Sequence, residues 1–419
     1  MERYDKYINT GVSWMPRIPS HWKHVQFRGL FKITKRIAGR TGLDVLAVTQ
    51  RGIKVKDVES NEGQIAADYS NYQIVEPGDF AMNHMDLITG FVGISPQYGV
   101  TSPDYRVFKN ISPLASSQFY LYIFELCYKQ QIFYGLGHGV SNKGRWRLPA
   151  PIQNRFEIPL PPLAEQEKIV SYLEDKTSKI DAYVADKEKE IELLQELKQK
   201  TIADAVTKGL NPDAKMKDSG ISWIGEIPEH WEVKKIGSLF VERREKVSDK
   251  DYPALSVSKQ GITPQLDTAV KTDNGDNRKK VCKNDFVVNS RSDRKGSCGV
   301  SPYTGSVSLI NIVLSPRKNI EVQYFHHLFR SNNYIEEYYR IGRGIVADLW
   351  TTRYSEMRNI FVPLPPQDEQ QAIVAYIEEK CEKIDKLASE LQSEIDYLKE
   401  YKQRLIADCV TGQVNVQNI

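Results

Sequence analysis

The chain has 419 residues, of which 40% are hydrophobic and 26% charged, with 57 basic and 54 acidic side chains. This composition is typical of a globular protein of two or three domains and excludes a largely disordered chain. The longest aromatic and apolar stretch, residues 119–128, is too short to span a membrane, the N-terminus has no secretory pattern, and five scattered cysteines without a Cys-x-x-Cys pair favour a reducing cytoplasm.

The small net charge conceals four segments of alternating sign. Residues 23–158 carry 16 basic and 11 acidic side chains, and residues 232–361 carry 22 and 15. Residues 164–208 carry 8 and 11, and residues 363–411 carry 6 and 11. The two basic segments favour a polyanion as their partner, whereas the two acidic segments favour a protein.

The chain contains two copies of one unit. Residues 11–22, Gly-Val-Ser-Trp-Met-Pro-Arg-Ile-Pro-Ser-His-Trp, match residues 220–231 at seven of twelve positions, with an offset of 209. Residues 158–176 match residues 362–380 at eleven of nineteen positions, with an offset of 204, and both contain Pro-Leu-Pro-Pro-x-x-Glu-Gln. Two copies are too few for a solenoid, so a pseudo-two-fold arrangement is expected.

Each repeat predicts a leading segment, a globular domain and a long helix, in that order. In the globular domains we expect strands within residues 44–48 and 306–314, and helices over residues 117–131 and 322–339. The predicted divisions are a leading segment at 1–22, a domain at 23–158, a helical region at 159–210, a second leading segment at 211–231, a second domain at 232–361 and a second helical region at 362–419.

The two helical regions have the pattern of a coiled coil. Each begins after consecutive prolines, which require extended backbone, and continues for about 44 residues without glycine or proline. Apolar residues recur at spacings of three, four and seven, and Gly209 and Gly412 are stop signals. The fold class predicted is therefore α+β, with two mixed α/β domains joined by two long antiparallel helices that pair through their apolar stripes.

Catalytic signatures are missing from the sequence. It has no Gly-x4-Gly-Lys-Ser/Thr loop, no His-Glu-x-x-His, and no Asn/Asp-Pro-Pro-aromatic tetrad of the amino-methyltransferases. The Gly-x-Gly pairs at 137–139 and 342–344 lack a third glycine, and His326 and His327 lack a ligand partner at helical spacing. We therefore predict a chain without catalytic residues, bound metal or bound cofactor.

The repeated Gly-x-Ser-Trp…Ile-Pro-x-His-Trp and Pro-Leu-Pro-Pro-x-x-Glu-Gln motifs, each followed by a long helix, resemble the specificity subunit of type I restriction-modification enzymes over almost the whole chain. The resemblance implies two target recognition domains, each reading one half of a bipartite site in double-stranded DNA. It also implies that the helices bind two methyltransferase subunits, through which restriction and translocase subunits join. S-adenosylmethionine, ATP and Mg²⁺ would then belong to the partner subunits.

Candidate DNA contacts are polar residues that follow matching strands, because Arg, Asn and Gln can bond base edges while Lys and Ser more often hold phosphates. The hairpin set comprises Thr49, Gln50, Arg51, Ser258, Lys259 and Gln260. The loop set comprises Asn83, His84, Met85, Asp86, Asn289, Ser290, Arg291, Arg294 and Lys295. The Gly-x-Gly set comprises His138, Lys143, Arg145, Arg340 and Arg343. Since the two domains differ at these positions, an asymmetric target is expected.

The repeated motifs themselves predict a supporting and partner-binding frame. We expect the four tryptophans of the leading segments, Trp14, Trp22, Trp223 and Trp231, to pack rather than stack on bases. The partner-binding residues predicted at the start of the two helices are Pro161, Pro162, Glu165, Gln166, Pro365, Pro366, Glu369 and Gln370. The competing hypothesis is a coiled-coil scaffold whose globular ends bind proteins.

Overall fold

The computed structural model describes residues 2–50, 52–58, 68–139, 146–265, 275–291, 294–317, 320–344 and 350–417. They form two compact units, of which unit 1 is Met1–Asp186 with Glu394–Ile419 and unit 2 is Lys187–Ser393. Each unit contains one globular domain and a part of both long helices. Among the described residues, no helix combines the length and the apolar character that crossing a bilayer requires.

Unit 1 is a mixed domain built around a four-stranded antiparallel sheet. Its strands are β1 (Tyr7–Val12), β2 (Met15–Pro19), β3 (Lys23–Gln26), β4 (Phe31–Thr34), β5 (Leu46–Thr49), β6 (Gly52–Val55), β7 (Gln73–Val75), β8 (Phe80–Met82), β9 (Val92–Ile94), β10 (Gly99–Thr101), β11 (Arg106–Asn110) and β12 (Glu157–Leu160). Its helices are α1 (Ser117–Lys129), α2 (Ile132–Gly135), α3 (Ala150–Arg155) and the first part of α4 (Leu163–Lys208). The sheet order is β4-β11-β8-β9, and β12 pairs with β3, so the strand that leaves the domain is bound to the strand that enters it.

Unit 2 repeats this architecture. Its strands are β13 (Met216–Asp218), β14 (Glu226–Pro228), β15 (Glu232–Lys235), β16 (Phe240–Glu242), β17 (Lys246–Val247), β18 (Leu255–Ser258), β19 (Gly261–Pro264), β20 (Arg278–Val281), β21 (Phe286–Asn289), β22 (Cys298–Val300), β23 (Gly305–Val307), β24 (Asn311–Pro316) and β25 (Phe361–Leu364). Its helices are α5 (Ile236–Leu239), α6 (Val322–Arg330), α7 (Asn332–Arg340), α8 (Tyr354–Met357) and the first part of α9 (Gln367–Val410). The sheet order β16-β24-β21-β22 and the β15–β25 pair match their counterparts in unit 1.

Alternation along the central strands gives each sheet two buried faces. In β11, Phe108 points to the cluster that contains α1, whereas the adjacent Val107 packs with Leu46 and Ile53 of the β5–β6 hairpin. Successive strand side chains point to opposite faces, so the helix covers one face and the hairpin covers the other. In unit 2 the same alternation buries Val313 with the β18–β19 hairpin.

Two predicted elements of unit 2 are interrupted. The helix expected over residues 322–339 is broken at Ser331, whose ψ of 143° is extended backbone. The Ser331 hydroxyl lies 2.7 Å from the Leu328 carbonyl and accepts from the Tyr334 amide at 3.5 Å, so one side chain ends α6 and begins α7. The strand expected within residues 306–314 is divided by a turn in which the Asn311 amide donates to the Ser308 carbonyl.

The structure confirms the two long helices, of 46 and 44 residues, and their antiparallel pairing. In unit 1 the Lys402 ammonium lies 2.6 Å from both carboxylate oxygens of Asp181. In unit 2 the Lys198 ammonium lies 2.6 Å from both carboxylate oxygens of Asp385. The two ion pairs occupy equivalent positions of the repeat.

Replacing Lys402 with alanine should lower the free energy of unfolding by less than about 1 kcal/mol, because exposed ion pairs contribute little. The Asp181 side chain is 62% exposed and the Lys402 side chain 22%. By contrast, Ile395 in the apolar seam is fully buried. A double-mutant cycle with Asp181→Ala, read from urea midpoints, measures the pair, and a coupling energy above about 2 kcal/mol would show that ion pairs rather than the seam hold the helices.

Candidate nucleic-acid interface

In unit 2 the loop set and part of the Gly-x-Gly set meet through backbone hydrogen bonds. The Thr352 amide donates to the Ser290 carbonyl at 3.0 Å, and Thr351 and Arg343 exchange amide–carbonyl bonds of 3.0 and 3.2 Å. Isolated bridges join Thr351 to both Arg291 and Arg343. The two arginines are 52 residues apart in the sequence, but both pair with Thr351 and lie on either side of it.

Unit 1 has the same junction with different side chains. The Leu148 amide donates to the His84 carbonyl at 3.0 Å, and His138 and Arg147 exchange bonds of 2.9 and 3.0 Å. Met85, His138 and Arg147 thus occupy the positions of Arg291, Arg343 and Thr351. Lys143 and Arg145 of the predicted Gly-x-Gly set lie outside the described residues.

The cationic side chains at the unit 2 junction are exposed, and residues of α7 contact the loop that carries them. The Lys295 ammonium lies 2.5 Å from a Glu336 carboxylate oxygen and 5.9 Å from the Tyr339 ring centroid. The Tyr339 hydroxyl donates to the Arg291 carbonyl at 3.2 Å, so the same ring fixes the loop backbone. These contacts hold a basic surface in one shape, as recognition of a polyanion requires.

Arg340 lies at the end of α7, next to this junction. Its guanidinium forms a bidentate ion pair with the Glu337 carboxylate at 2.6 and 2.8 Å. These hydrogen bonds raise the pKa of Arg340 above its usual value. The Arg340 side chain remains 70% exposed. The pairing neutralises part of its charge, so Arg340 is a weaker candidate for a phosphate contact than Arg343.

The hairpin set lies at the tips of the β5–β6 and β18–β19 hairpins. Gln50, Lys259 and Gln260 are exposed there, and Arg51 lies outside the described residues. No hydrogen bond between described residues joins these tips directly to the other two sets. In unit 2, however, the Arg330 guanidinium donates to the Lys259 carbonyl at 2.6 Å and to the Cys298 carbonyl at 2.8 Å, which ties the hairpin to the strand that follows the loop.

A glycine repeated in both copies explains how the hairpin fits. A Cβ on Gly93 would lie 2.9 Å from the Ile53 side chain, and a Cβ on Gly299 would lie 3.3 Å from the Gly261 Cα. A Cβ would force a shift at Gly93 and would be tight at Gly299, so glycine recurs where the hairpin packs on β9 or β22. The repeated Gly-x-Ser-Pro element is therefore part of the scaffold of the interface.

Several residues of the predicted loop set have side chains that are buried or hydrogen-bonded within the domain. Ser290 is 3% exposed and its hydroxyl donates to the Ile310 carbonyl at 2.6 Å. Burial raises the pKa of Asp86, but hydrogen bonds from the Thr89 hydroxyl and from the Thr89 and Ile88 amides outweigh it and lower the pKa. Burial, with nearby arginines, lowers the pKa of His84 to about 3. These three side chains shape the loops, and they are not among the DNA contacts that we propose.

Sequence reasoning missed three residues that the structure places at the candidate interface. Arg147 follows the basic stretch at 143–145 and could have been included on charge alone. Arg330 and Tyr339 lie within predicted helices, and their positions beside the hairpin and the loop depend on tertiary packing. No sequence pattern distinguishes them from other helical residues.

The frame motifs of each repeat come together at the start of a long helix. The His21 imidazole lies 2.9 Å from the Glu165 carboxylate, and the His230 imidazole lies 2.6 Å from the Glu369 carboxylate. The Trp231 indole also donates to Glu369 at 2.9 Å. The His-Trp and Pro-Pro-x-x-Glu-Gln motifs recur together because they bind each other.

The glutamines of the frame point inward. Gln166 is fully buried, and its amide group bonds the Leu114 and Pro161 carbonyls and the Ser116 amide at 2.8–2.9 Å. Gln370 makes the equivalent bonds to the Glu321 amide and the Pro365 carbonyl. Both side chains thus join a domain to its helix.

The other frame residues divide into buried and exposed positions. Pro161, Glu165 and Pro365 are buried, whereas Pro162 and Pro366 are exposed. Pro162 and Pro366 are therefore accessible to a partner, and the partner-binding role of the frame stays a prediction.

The predicted packing of the tryptophans is confirmed for Trp22 and Trp231, which are at most 2% exposed. Trp14 stacks on Phe156 at 5.4 Å, and Trp223 meets the Tyr334 ring edge to face at 5.7 Å.

The His326–His327 pair on α6 is half-buried. The His326 ring accepts a hydrogen bond from the Val300 amide at 3.1 Å. Burial, with the nearby Arg330 cation, lowers the pKa of His326 to about 3 and that of His327 to about 4. Within the described residues, no group of three or more His, Cys, Asp or Glu side chains could hold a metal ion.

The stability of unit 2 should therefore fall as the pH drops below about 6.5, the ordinary histidine pKa. A folded-state pKa below the unfolded one means that the unfolded chain binds more protons, so stability is complete above pH 6.5 and is lost toward pH 4. Urea midpoints between pH 7.5 and 5 measure this loss before most carboxylates titrate. The variant His326→Gln should flatten the profile, and an unchanged profile would contradict the assignment.

Comparison with protein families gives one match to both halves of the chain. The family model of the type I restriction modification DNA specificity domain matches residues 19–193 and again residues 228–397. The two matches include both globular domains and much of both long helices.

Curated relatives carry the same description. A putative type I restriction enzyme MjaX specificity subunit of Methanocaldococcus jannaschii is 28% identical over 275 residues, 62% of this chain and 60% of that protein. The type I restriction enzyme EcoBI specificity subunit of Escherichia coli is 25% identical over 286 residues, 62% of this chain and 59% of that protein. The chain thus spans about three fifths of the length of these curated relatives.

Solved structures share the fold. A chain from a study of complex assembly and conformational transition of the type I restriction-modification system matches with a TM-score of 0.67, at 16% identity, over 95% of this chain and 99% of that one. The HsdS subunit from Thermoanaerobacter tengcongensis matches with a TM-score of 0.52, at 16% identity, over 95% and 98%. At this identity the likeness shows the fold alone.

Proposed function

We propose, on the premise that this chain belongs to the type I restriction-modification specificity family, that it is the DNA-recognition subunit of such a system. Each globular domain reads one half of a bipartite target in double-stranded DNA, and the long helices set the distance between the halves. B-DNA rises 3.4 Å per base pair, so a rigid spacer fixes the number of base pairs that are not read.

One observation carries the proposal. The two domains share a sheet order and a backbone junction, but the junction presents Arg291 and Arg343 in unit 2 where unit 1 presents Met85 and His138. Identical readers would recognise a palindrome, whereas different side chains on one scaffold recognise different half-sites. The target is therefore asymmetric.

The partner subunits supply the chemistry. We assign methyl transfer from S-adenosylmethionine to two methyltransferase subunits that bind the helices. ATP- and Mg²⁺-dependent translocation and cleavage belong to restriction subunits that join through them. This chain contributes no catalytic residue and binds no cofactor. The acidic charge of the helices, with 11 acidic against 6 basic side chains at residues 363–411, suits a protein partner.

Selection from random duplexes tests the proposal. The chain is co-expressed with a type I methyltransferase from the same genome, and the complex is used to select DNA at about 150 mM salt over several rounds. The expected product is one motif of two unlike halves at a fixed separation, with affinity that falls steeply with salt. A scaffold protein with protein-binding ends would select no motif.

A further inference from the structure

An arginine lies in the interior of unit 1, directly behind the backbone junction. Arg106 of β11 is 8% exposed, and its Nη1 donates to the Leu148 carbonyl at 2.8 Å and to the Gln153 side-chain oxygen at 2.6 Å. Both acceptors are uncharged, and no carboxylate of a described residue pairs with the guanidinium. Its Nε and Nη2 donate to none of the described residues. Within the described part of unit 1, this cation is therefore buried without a counter-charge.

Burial disfavours the charged form of Arg106. It lowers the pKa of Arg106 to about 10, which still leaves the guanidinium charged at neutral pH. Taking a cation out of water costs free energy that two neutral acceptors only partly restore. Such a charge is explained either by packing that requires an arginine at this place or by an anion that approaches from outside.

Unit 2 builds the same junction without the charge. The pairing of β11 with β8 and of β24 with β21 aligns Arg106 with Ile312. Gln153, which accepts from Arg106, aligns with Met357, because each of their amides donates to the carbonyl four residues earlier, at the start of α3 or α8. Packing behind the junction therefore does not require an arginine.

A tyrosine hydroxyl makes the structural bond of the arginine in unit 2. The Tyr338 hydroxyl lies 3.4 Å from the Thr352 carbonyl, the counterpart of the Leu148 carbonyl. Unit 1 has Phe133 in place of Tyr338, at the offset of 205 that relates the two Gly-x-Gly pairs. An uncharged set thus serves the fold equally well. The buried triplet of unit 1, Arg106, Gln153 and Phe133, corresponds to Ile312, Met357 and Tyr338 of unit 2.

The charge of Arg106 acts on the surface of the junction. Burial, with the charges of Arg106 and Arg147, lowers the pKa of His84 to about 3, so a positive potential surrounds a neutral imidazole. The His84 Nδ1 is buried, and no described residue bonds to it. Arg147 is exposed on the same junction. Because salt and water screen a buried charge little, the field of Arg106 adds to that of Arg147.

The surface in front of this charge suits one anion. Unit 2 has arginines at the two outer positions of its junction, whereas unit 1 has Arg147 in the middle, between Met85 and His138. DNA offers a phosphate at every nucleotide, and a phosphate accepts two parallel bonds from an arginine. A carboxylate of a protein is the other common anion. The 16 basic against 11 acidic side chains of residues 23–158 favour the polyanion.

We propose that the unit 1 junction binds one phosphate group of the DNA backbone, with Arg147 in contact with it and Arg106 as a buried charge that strengthens the contact. This inference rests on the proposed function. It makes Arg106 a positioning residue with two opposite effects. Unit 1 is no more stable with Arg106 than with the uncharged set of unit 2, but it binds DNA more tightly.

Exchange of the triplet tests both effects. The full chain receives the unit 2 set through Arg106→Ile, Gln153→Met and Phe133→Tyr, which leaves the Leu148 carbonyl with a donor. Its urea midpoint should equal or exceed that of the wild type, because packed apolar groups replace a buried charge at no cost or with a gain. With the methyltransferase bound, its affinity for the selected duplex should fall at least about tenfold. The control Lys109→Ile removes a charge from an exposed position of β11 and should change affinity less than about twofold.

Uncharged methylphosphonates identify the phosphate. Each phosphate of the unit 1 half-site is replaced in turn, and the wild type should lose at least about tenfold in affinity at one position. The triplet variant and Arg147→Met should both be insensitive at that position and respond like the wild type elsewhere. Because the Arg147 side chain is exposed, the second variant tests the site without a change in the interior.

The outcomes separate this inference from the proposed function. If the wild type selects no duplex, the proposed function fails and the phosphate site with it. If the wild type binds its duplex and the triplet variant shows the same affinity and the same methylphosphonate profile, only the phosphate site is overturned. A lower urea midpoint with an unchanged profile would make Arg106 structural. Weaker methyltransferase binding at unchanged DNA affinity would identify a carboxylate of the partner as the anion. Stabilisation of the wild type alone by inorganic phosphate, without a sensitive position in the duplex, would assign the site to free phosphate.

Discussion

Replacing Arg291 and Arg343 with alanine together lowers the affinity of the complex for its target at least about 30-fold, because each paired contact of an arginine with a base contributes about 1–3 kcal/mol. The two residues flank Thr351 and come from segments that are fixed to each other by backbone bonds, so the main chain should stay in place. Binding is measured by fluorescence anisotropy on the selected duplex, with the methyltransferase bound.

The pattern of loss distinguishes base contacts from phosphate contacts. If the arginines read bases, scrambling the unit 2 half-site costs the variant little further affinity, while scrambling the other half costs as much as in the wild type. If they hold phosphates, affinity falls for all sequences and the salt slope decreases by about two. As a control, Arg244→Ala with Lys250→Ala removes the same charge elsewhere in unit 2, where these side chains pair with Glu242 and Asp276. Equal losses in the variant and the control would contradict the interface.

Replacing Gln166 with leucine should lower the free energy of unfolding of unit 1 by about 3–5 kcal/mol. Each buried polar group that loses its hydrogen-bond partner costs about 1–3 kcal/mol. The substitution preserves approximate size but leaves the Leu114 and Pro161 carbonyls and the Ser116 amide without their partner. The Ser116 amide begins α1, so the loss loosens the domain from its helix. The urea unfolding midpoint measures the effect.

Two further variants complete the test of the glutamines. Gln370→Leu should destabilise unit 2 in the same way, since its amide group bonds Glu321 and Pro365. Gln199→Leu makes the same chemical change at an exposed position of α4 and should change stability by no more than about 0.5 kcal/mol. If Gln166→Leu behaves like Gln199→Leu, the glutamine does not join the domain to the helix.

The long helices and the repeat were predictable because local chemistry determines them. Prolines exclude the helix before Leu163 and Gln367, neither helix contains an internal glycine or proline, and glycines with φ of +75° and +72° lie just beyond the helix ends, at Gly209 and Gly412. The break at Ser331 was missed because a serine within an amphipathic pattern is compatible with a continuous helix. Only its capping bonds show that the helix ends there.

The candidate interface was partly predictable, since turn signals identify loops but not the direction of side chains. The loop and Gly-x-Gly sets are brought together by bonds between segments that are distant in the sequence, as at His84 and Leu148. Whether a serine such as Ser290 faces solvent or the interior depends on tertiary contacts such as its hydrogen bond to the Ile310 carbonyl. The buried roles of Gln166 and Gln370 were hidden for the same reason.

The central claim is that this chain directs a methyltransferase to one asymmetric bipartite sequence. Single-molecule sequencing of adenine methylation in the host genome, with and without the gene, tests it most directly. We predict that one motif of two unlike halves loses its methylation on deletion, and that exchanging residues 23–158 for another recognition domain changes one half alone. An unchanged pattern, with the methyltransferase expressed, would contradict the claim.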